Sequence, residues 1–215
     1  QRTVRATCCS FTKRNLVRVH KFISVVFHPI VIPTIGMLLY FFLIPNNLNA
    51  DQRSVVLGFV FITTYILPLF ILILFKKFKL IQSFKAESIQ ERKIPIGIMI
   101  LLFYFLGEIF NRVSNLSDIG LLFYASSFGL VCVYVLFTFK IKTSIHLLSI
   151  GITTGFFIKL NALHDENLIG IVALLFLLSG LIASARLHLK AHTEKEVYIG
   201  FFIGFISPIV LFYSL

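Results

Sequence analysis

The chain has 215 residues, 58% of them apolar and 13% charged, and a mean hydropathy of +0.94. That balance excludes a soluble domain and makes the bilayer its solvent. The net charge of +11 does not point to nucleic acid, because the basic residues lie in short segments beside apolar runs and not on a soluble basic domain.

Residues 1–21 form a polar, basic lead, unlike a short signal peptide with a small-residue cleavage site. It contains Cys8 and Cys9, while Cys132 lies in an apolar run; the three offer neither a disulfide framework nor zinc-ligand spacing. A spanning helix takes about 20 apolar residues, which predicts spans at Phe22 to Ile44, Val55 to Phe75, Ile94 to Phe110 and Ile119 to Phe139. Three more follow at Ile145 to Leu160, Leu168 to Ala185 and Val197 to Leu215, the fifth short enough to start inside a polar site. Residues 22–215 therefore read as one transmembrane domain, an all-α polytopic helical bundle of six to seven spans.

Strands are excluded because unpaired backbone groups in hydrocarbon cost several kcal/mol each, which closed helices avoid. Pro29, Pro33, Pro68 and Pro208 fall inside spans and predict kinks. Gly151 and Gly155 give the fifth span a small-residue face for close helix packing. No internal repeat of the kind that marks many transporters is present.

Crossing the membrane at each span puts the lead, the loop from Lys76 to Lys93, the loop from Lys140 to Ser144 and the loop from Arg186 to Glu196 on one side. Of the 20 Lys and Arg, only Arg53, Arg112 and Lys159 fall on the other side. The positive-inside rule makes the first side cytoplasmic, and the setting a cell (inner) membrane.

Three polar stretches share that basic side: Lys85-Ala-Glu-Ser-Ile-Gln-Glu-Arg92-Lys-Ile-Pro95, Thr143-Ser144-Ile145-His146, and Ser184-Ala-Arg186 through His192 to Glu196. Arg92 and Arg186 can each fork two hydrogen bonds to phosphate oxygens, and Lys85 adds a compact charge. Two histidines can divide nucleophilic and acid–base work. Six residues separate Lys85 from Arg92, five separate Arg186 from His192, and three separate His192 from Glu196.

In that spacing and order the stretches resemble the type 2 phosphatidic acid phosphatase superfamily, whose pattern is K-x6-R-P, P-S-G-H and S-R-x5-H-x3-D. The resemblance covers Lys85 to Glu196. Pro95 stands three residues after Arg92, Ala185 separates Ser184 from Arg186, Thr143 and Ile145 replace Pro and Gly, and Glu196 replaces Asp.

The resemblance implies a metal-independent lipid phosphatase with no cofactor, acting on a phosphomonoester or pyrophosphate of a membrane lipid. His192 would be the nucleophile, Glu196 would orient it, His146 would protonate the leaving group, and Lys85, Arg92, Ser144 and Arg186 would bind phosphate. Transfer of the phosphoryl group to another lipid is a related alternative. The other class of function is a non-catalytic lipid-phosphate-binding or anion-transporting membrane protein. Neither reading involves nucleic acid, and nothing in the sequence sets an oligomeric state.

Plainer expectations stand beside these. Lys85 and Arg92 alone would read as a basic loop meeting anionic headgroups, worth about 1 kcal/mol per charge. His188, His192 and Glu196 recur every four residues, as on a metal-binding helix face. Thr193-Glu-Lys-Glu196 is a capping box, however, which would start the last helix after His192, break that face and hold Glu196 away from His192. His188 is then a bystander. His164, with Asp165 and Glu166, belongs to a turn across the bilayer, Glu108 pairs with Arg112 one turn on, and His20 and His28 read as structural.

Overall fold

The computed structural model describes residues 16–79, 89–164 and 167–212. Lys85, Cys8, Cys9, Asp165, Glu166 and most of the basic lead lie outside the described residues. Among the described residues the chain is helical without strands, and six helices are long and apolar enough to cross a membrane. This is a multi-pass helical membrane protein.

Helix α1 covers residues 16–26 and α2 is Ile32–Leu43. They are followed by α3 (Ala50–Lys77), α4 (Ile89–Asn111), α5 (Ser117–Thr138), α6 (Ile145–Leu163), α7 (Ile169–His188) and α8 (Glu194–Phe212). The expected first span from Phe22 to Ile44 is not one kinked helix but two, broken at residues 27–31. Pro29 disfavours helical backbone at His28, and Pro33 sits in the first turn of α2, where its missing N–H costs nothing. Pro68 lies just past a π turn at Ile62–Ile66, whereas Pro95 and Pro208 lie inside helices. Because α4 has begun by Ile89, Arg92 projects from a helix and not from a loop.

The centre of the bundle is α6, with 72% of its spanning window buried, and α5, with 67%; the other four spans bury 17–28%. Phe123, Phe156, Phe157, Met37 and Leu160 are fully buried, while Phe42, Val55, Phe105 and Leu177 are more than half exposed on the outer surface, as hydrocarbon solvent permits. Gly151 and Gly155 do the packing expected of them. A Cβ on Gly151 would stand 2.5 Å from the Phe201 carbonyl oxygen, and one on Gly155 would collide with that of Phe205. Gly200 and Gly204 reciprocate from α8, where an added Cβ would stand 2.5 Å from the Ser144 carbonyl oxygen and would collide with that of Leu148 respectively. Helices α6 and α8 therefore touch backbone to backbone.

Three helices stop on a lysine in left-handed backbone conformation: Lys79 (φ 56°), Lys140 (φ 58°) and Lys190 (φ 51°). At Lys140 the Ile141 N–H reaches the Leu136 carbonyl and the Lys140 N–H that of Phe137. At Lys190 the Ala191 and Lys190 N–H groups reach Arg186 and Leu187 in the same way. Both are Schellman closures, which satisfy the last carbonyls and turn the chain sharply. They place the second and third polar stretches immediately after helix ends at one end of the bundle.

Candidate functional site

His192 follows the Lys190 closure, so the chain leaves α7 and turns back before α8 begins at Glu194. The Thr193 hydroxyl accepts the Glu196 N–H at 3.4 Å, so one half of the expected capping box is made and α8 starts where the box predicts. The other half is not. The Glu196 carboxylate instead accepts the His192 Nδ1–H at 2.6 Å, which corrects the expectation that capping holds the two apart.

Glu196 also ties the second stretch to the third, because its carbonyl accepts the Ser144 N–H at 3.1 Å. Gly200, one turn further along α8, leaves the room this approach needs. Ser144 is the N-cap residue of α6, in extended conformation, but its side chain makes no capping bond. His146 lies in the first turn and is buried. The fifth span thus begins inside the polar cluster, as its short length suggested.

Arg186, from the last turn of α7, donates from Nη1 to the Ser24 hydroxyl at 2.8 Å. His146 Nε2 donates to the Ser24 carbonyl at 3.1 Å. The His28 ring stands edge-on to that of His146, centroids 5.3 Å apart. Ser24 and His28 were not legible as site residues. They lie in an apolar stretch, 122 residues from His146 in the case of Ser24, and the one local signal was a polar His-Pro pair inside an expected span.

Among the described residues, three polar atoms here are buried with no hydrogen-bond partner: Thr143 Oγ1, Ser144 Oγ and Arg186 Nε. Thr143 and Ser144 are wholly buried. A buried polar group left unsatisfied costs about 1–3 kcal/mol, so these three leave hydrogen-bonding capacity unspent beside the N-terminus of α6, an end that favours negative charge. Burial chiefly, then the Arg186 and Arg92 guanidinium groups, outweigh the Glu196 carboxylate and lower the His192 pKa to about 4. In the neutral ring the Glu196 carboxylate sets the tautomer, with the proton on Nδ1 and the lone pair on Nε2.

The structure thus brings together Arg92, Ser144, His146, Arg186, His192 and Glu196, while Lys85 lies outside the described residues. His188 does not share a face with His192, because α7 ends between them; its ring lies tilted by 37° against that of His20, centroids 4.4 Å apart. His164 lies at the opposite end of the bundle, donating to Asp118 at 2.8 Å, which makes it more than a turn residue. Glu108 pairs with Arg112 at 3.7 Å, as expected.

Below the polar cluster, towards the bundle interior, lies a cavity of about 140 Å³ whose wall includes Pro29, Ile145, Pro95 and Met99. Thr64, Ser126, Ser149 and Thr153 also line it. Each of those hydroxyls donates to a carbonyl of its own helix, so the wall offers hydrocarbon contacts and little hydrogen bonding. No family model, curated protein or solved structure matches the chain.

Proposed function

We propose that the chain is a membrane lipid phosphatase, hydrolysing a phosphomonoester or pyrophosphate of a lipid through a phosphohistidine intermediate, as the resemblance to the type 2 phosphatidic acid phosphatases implies. The observation that carries this reading is His192, held by Glu196 at Nδ1, beside Arg186 and the unpaired polar atoms of Thr143 and Ser144. A carboxylate on Nδ1 fixes the tautomer that leaves Nε2 as the nucleophile.

In this reading His192 Nε2 attacks phosphorus in line and the bond to the leaving oxygen breaks. His146 gives that oxygen a proton. Water then attacks the phosphohistidine, losing a proton to His146 and releasing inorganic phosphate while His192 is regenerated. Arg92, Ser144 and Arg186, with Lys85 from the segment before α4, hold the phosphoryl oxygens, and their donors are worth more in a site shielded from water. The apolar cavity supports a lipid substrate, since it can receive a hydrocarbon chain whose phosphate lies among the polar groups.

The charge bias puts this site on the cytoplasmic face of the cell membrane. Leaving out Lys85, Arg92 and Arg186 still gives fourteen basic residues against three. A protease-accessible tag between Lys76 and Lys93 in sealed cells would overturn that assignment.

The test of function is phosphate release from a panel of lipid phosphates in detergent with chelator, comparing the parent with His192→Ala and Arg186→Ala. Chelator-resistant release, lost in both variants, is the expected result. If no lipid phosphate turns over while a labelled lipid phosphate still binds, the enzyme reading falls and the non-catalytic binding protein takes its place.

A further inference from the structure

Helix α1 ends where it does for a reason that reaches into the site. In a continuing helix the His28 N–H would bond the Ser24 carbonyl, four residues back. Pro29 disfavours helical backbone at His28, and the His28 N–H bonds the Val25 carbonyl instead, at 3.3 Å. The Ser24 carbonyl is thereby released from the ladder, and His146 Nε2 takes it at 3.1 Å. The hydroxyl of the same residue receives Arg186 Nη1 at 2.8 Å. Ser24 is buried at 8% exposure, so neither contact is a loose surface bond.

We propose that Ser24 is a positioning residue of this site: its carbonyl fixes which nitrogen of His146 handles protons, and its hydroxyl fixes the Arg186 guanidinium. A carbonyl can only accept, so His146 carries its proton on Nε2 and the nitrogen left for chemistry is Nδ1. His28 supports the same ring from its edge. Its own Nδ1 accepts the Ile30 N–H at 3.3 Å, which fixes its tautomer too.

The proton-transfer part rests on the phosphatase reading. There, His146 as imidazolium keeps Nε2–H on Ser24 and gives its Nδ1 proton to the leaving oxygen as the phosphorus–oxygen bond breaks. It is then neutral, with the tautomer that the Ser24 carbonyl requires, and Nδ1 takes a proton from the water that breaks the phosphorus–nitrogen bond. The imidazole returns to its starting state, and the ring need not turn between the two steps. The two histidines thus work from different nitrogens, His192 from Nε2 and His146 from Nδ1, each set by the acceptor that holds the other nitrogen.

The two roles of Ser24 are tested separately. Ser24→Ala removes the hydroxyl and keeps the carbonyl. It should weaken binding of inorganic phosphate, measured by calorimetry in detergent, and raise KM for a lipid phosphate, each about tenfold, the loss expected for a hydrogen bond to a charged group, with kcat changed less. Ser24→Thr should restore both, and in an Arg186→Ala background Ser24→Ala should cost nothing further. Additive losses, or a Ser24→Ala protein matching a parent that turns over lipid phosphate, would overturn the hydroxyl role. The carbonyl role is read in the parent by 15N NMR of labelled histidines, with His146 assigned through His146→Gln: an Nε2–H tautomer is expected and an Nδ1–H tautomer would refute it. A parent that neither binds phosphate nor hydrolyses a lipid phosphate would sink the phosphatase reading and the guanidinium role together, while the NMR result would still decide the tautomer.

Discussion

Both ends of the bundle carry a histidine bonded to a carboxylate. At one end His164 meets Asp118 at 2.8 Å, with the His164 side chain 35% exposed. At the other His192 meets Glu196 at 2.6 Å, with the His192 side chain 2% exposed. Asp118 also accepts the Tyr40 hydroxyl at 3.1 Å, so its cluster joins α2, α5 and the end of α6 and closes on itself. Around His192 the sum is left open, with Thr143, Ser144 and Arg186 each burying a polar atom that has no partner. A histidine–carboxylate pair is therefore no mark of chemistry by itself; what sets the His192 end apart is the unspent hydrogen-bonding capacity beside it.

The sharpest way to break this comparison is to remove one carboxylate at each end. Glu196→Gln should lower kcat by roughly a thousandfold or more, the scale seen when a histidine loses its orienting carboxylate, with little change in thermal midpoint. Asp118→Asn should do the reverse, lowering the midpoint while lipid phosphate hydrolysis stays near that of the parent. Comparable losses of turnover in both would erase the distinction.

The glycine contacts allow a similar split within one helix pair. Gly155→Ala, whose Cβ would meet the Phe205 carbonyl away from the site, should destabilise by about 1–3 kcal/mol through overpacking, read by thermal unfolding in detergent. Gly200→Ala should cost as much and also lower turnover, because the atom in its way is the Ser144 carbonyl oxygen.

A pH profile sharpens the role of His192. Its folded pKa is lowered from 6.5 to about 4, and the proposed attack needs His192 neutral, so kcat/KM should fall on the acid side only as pH approaches about 4. An acid limb near 6.5 would contradict the arrangement of charges around it. Linkage has the same sign: stability from keeping His192 neutral is whole above the unfolded value and is lost as pH falls from there towards the folded one.

The smallest effect belongs to Tyr40→Phe, which removes one of two bonds to Asp118 and should cost about 1 kcal/mol of stability with no change in activity.

Much of this organisation was legible because it is local. The helices follow from runs of apolar residues, and the start of α8 from Thr193 to Glu196. Arg186 and His192 are joined by a single turn. What escaped depends on distant pairing. Ser24 reads as one hydroxyl in a hydrophobic run, and His28 as a proline's neighbour, until the fold sets them against His146 and Arg186. The break between α1 and α2 escaped for a related reason, since a proline within a hydrophobic run signals a kink as readily as a stop. Glu196 has two possible partners within one turn, and only the position of the His192 ring chooses between them.

Lys79, Lys140 and Lys190 deserve a second reading in the light of the bilayer. Each stops a helix at a position where glycine is the easier choice, and each adds to the excess of positive charge on one side. Glycine would relieve the backbone and contribute nothing to insertion. If the charge bias sets the orientation as proposed, the same three side chains serve both to punctuate helices and to orient the chain, and a variant made more comfortable at these turns would carry less information about which way to face.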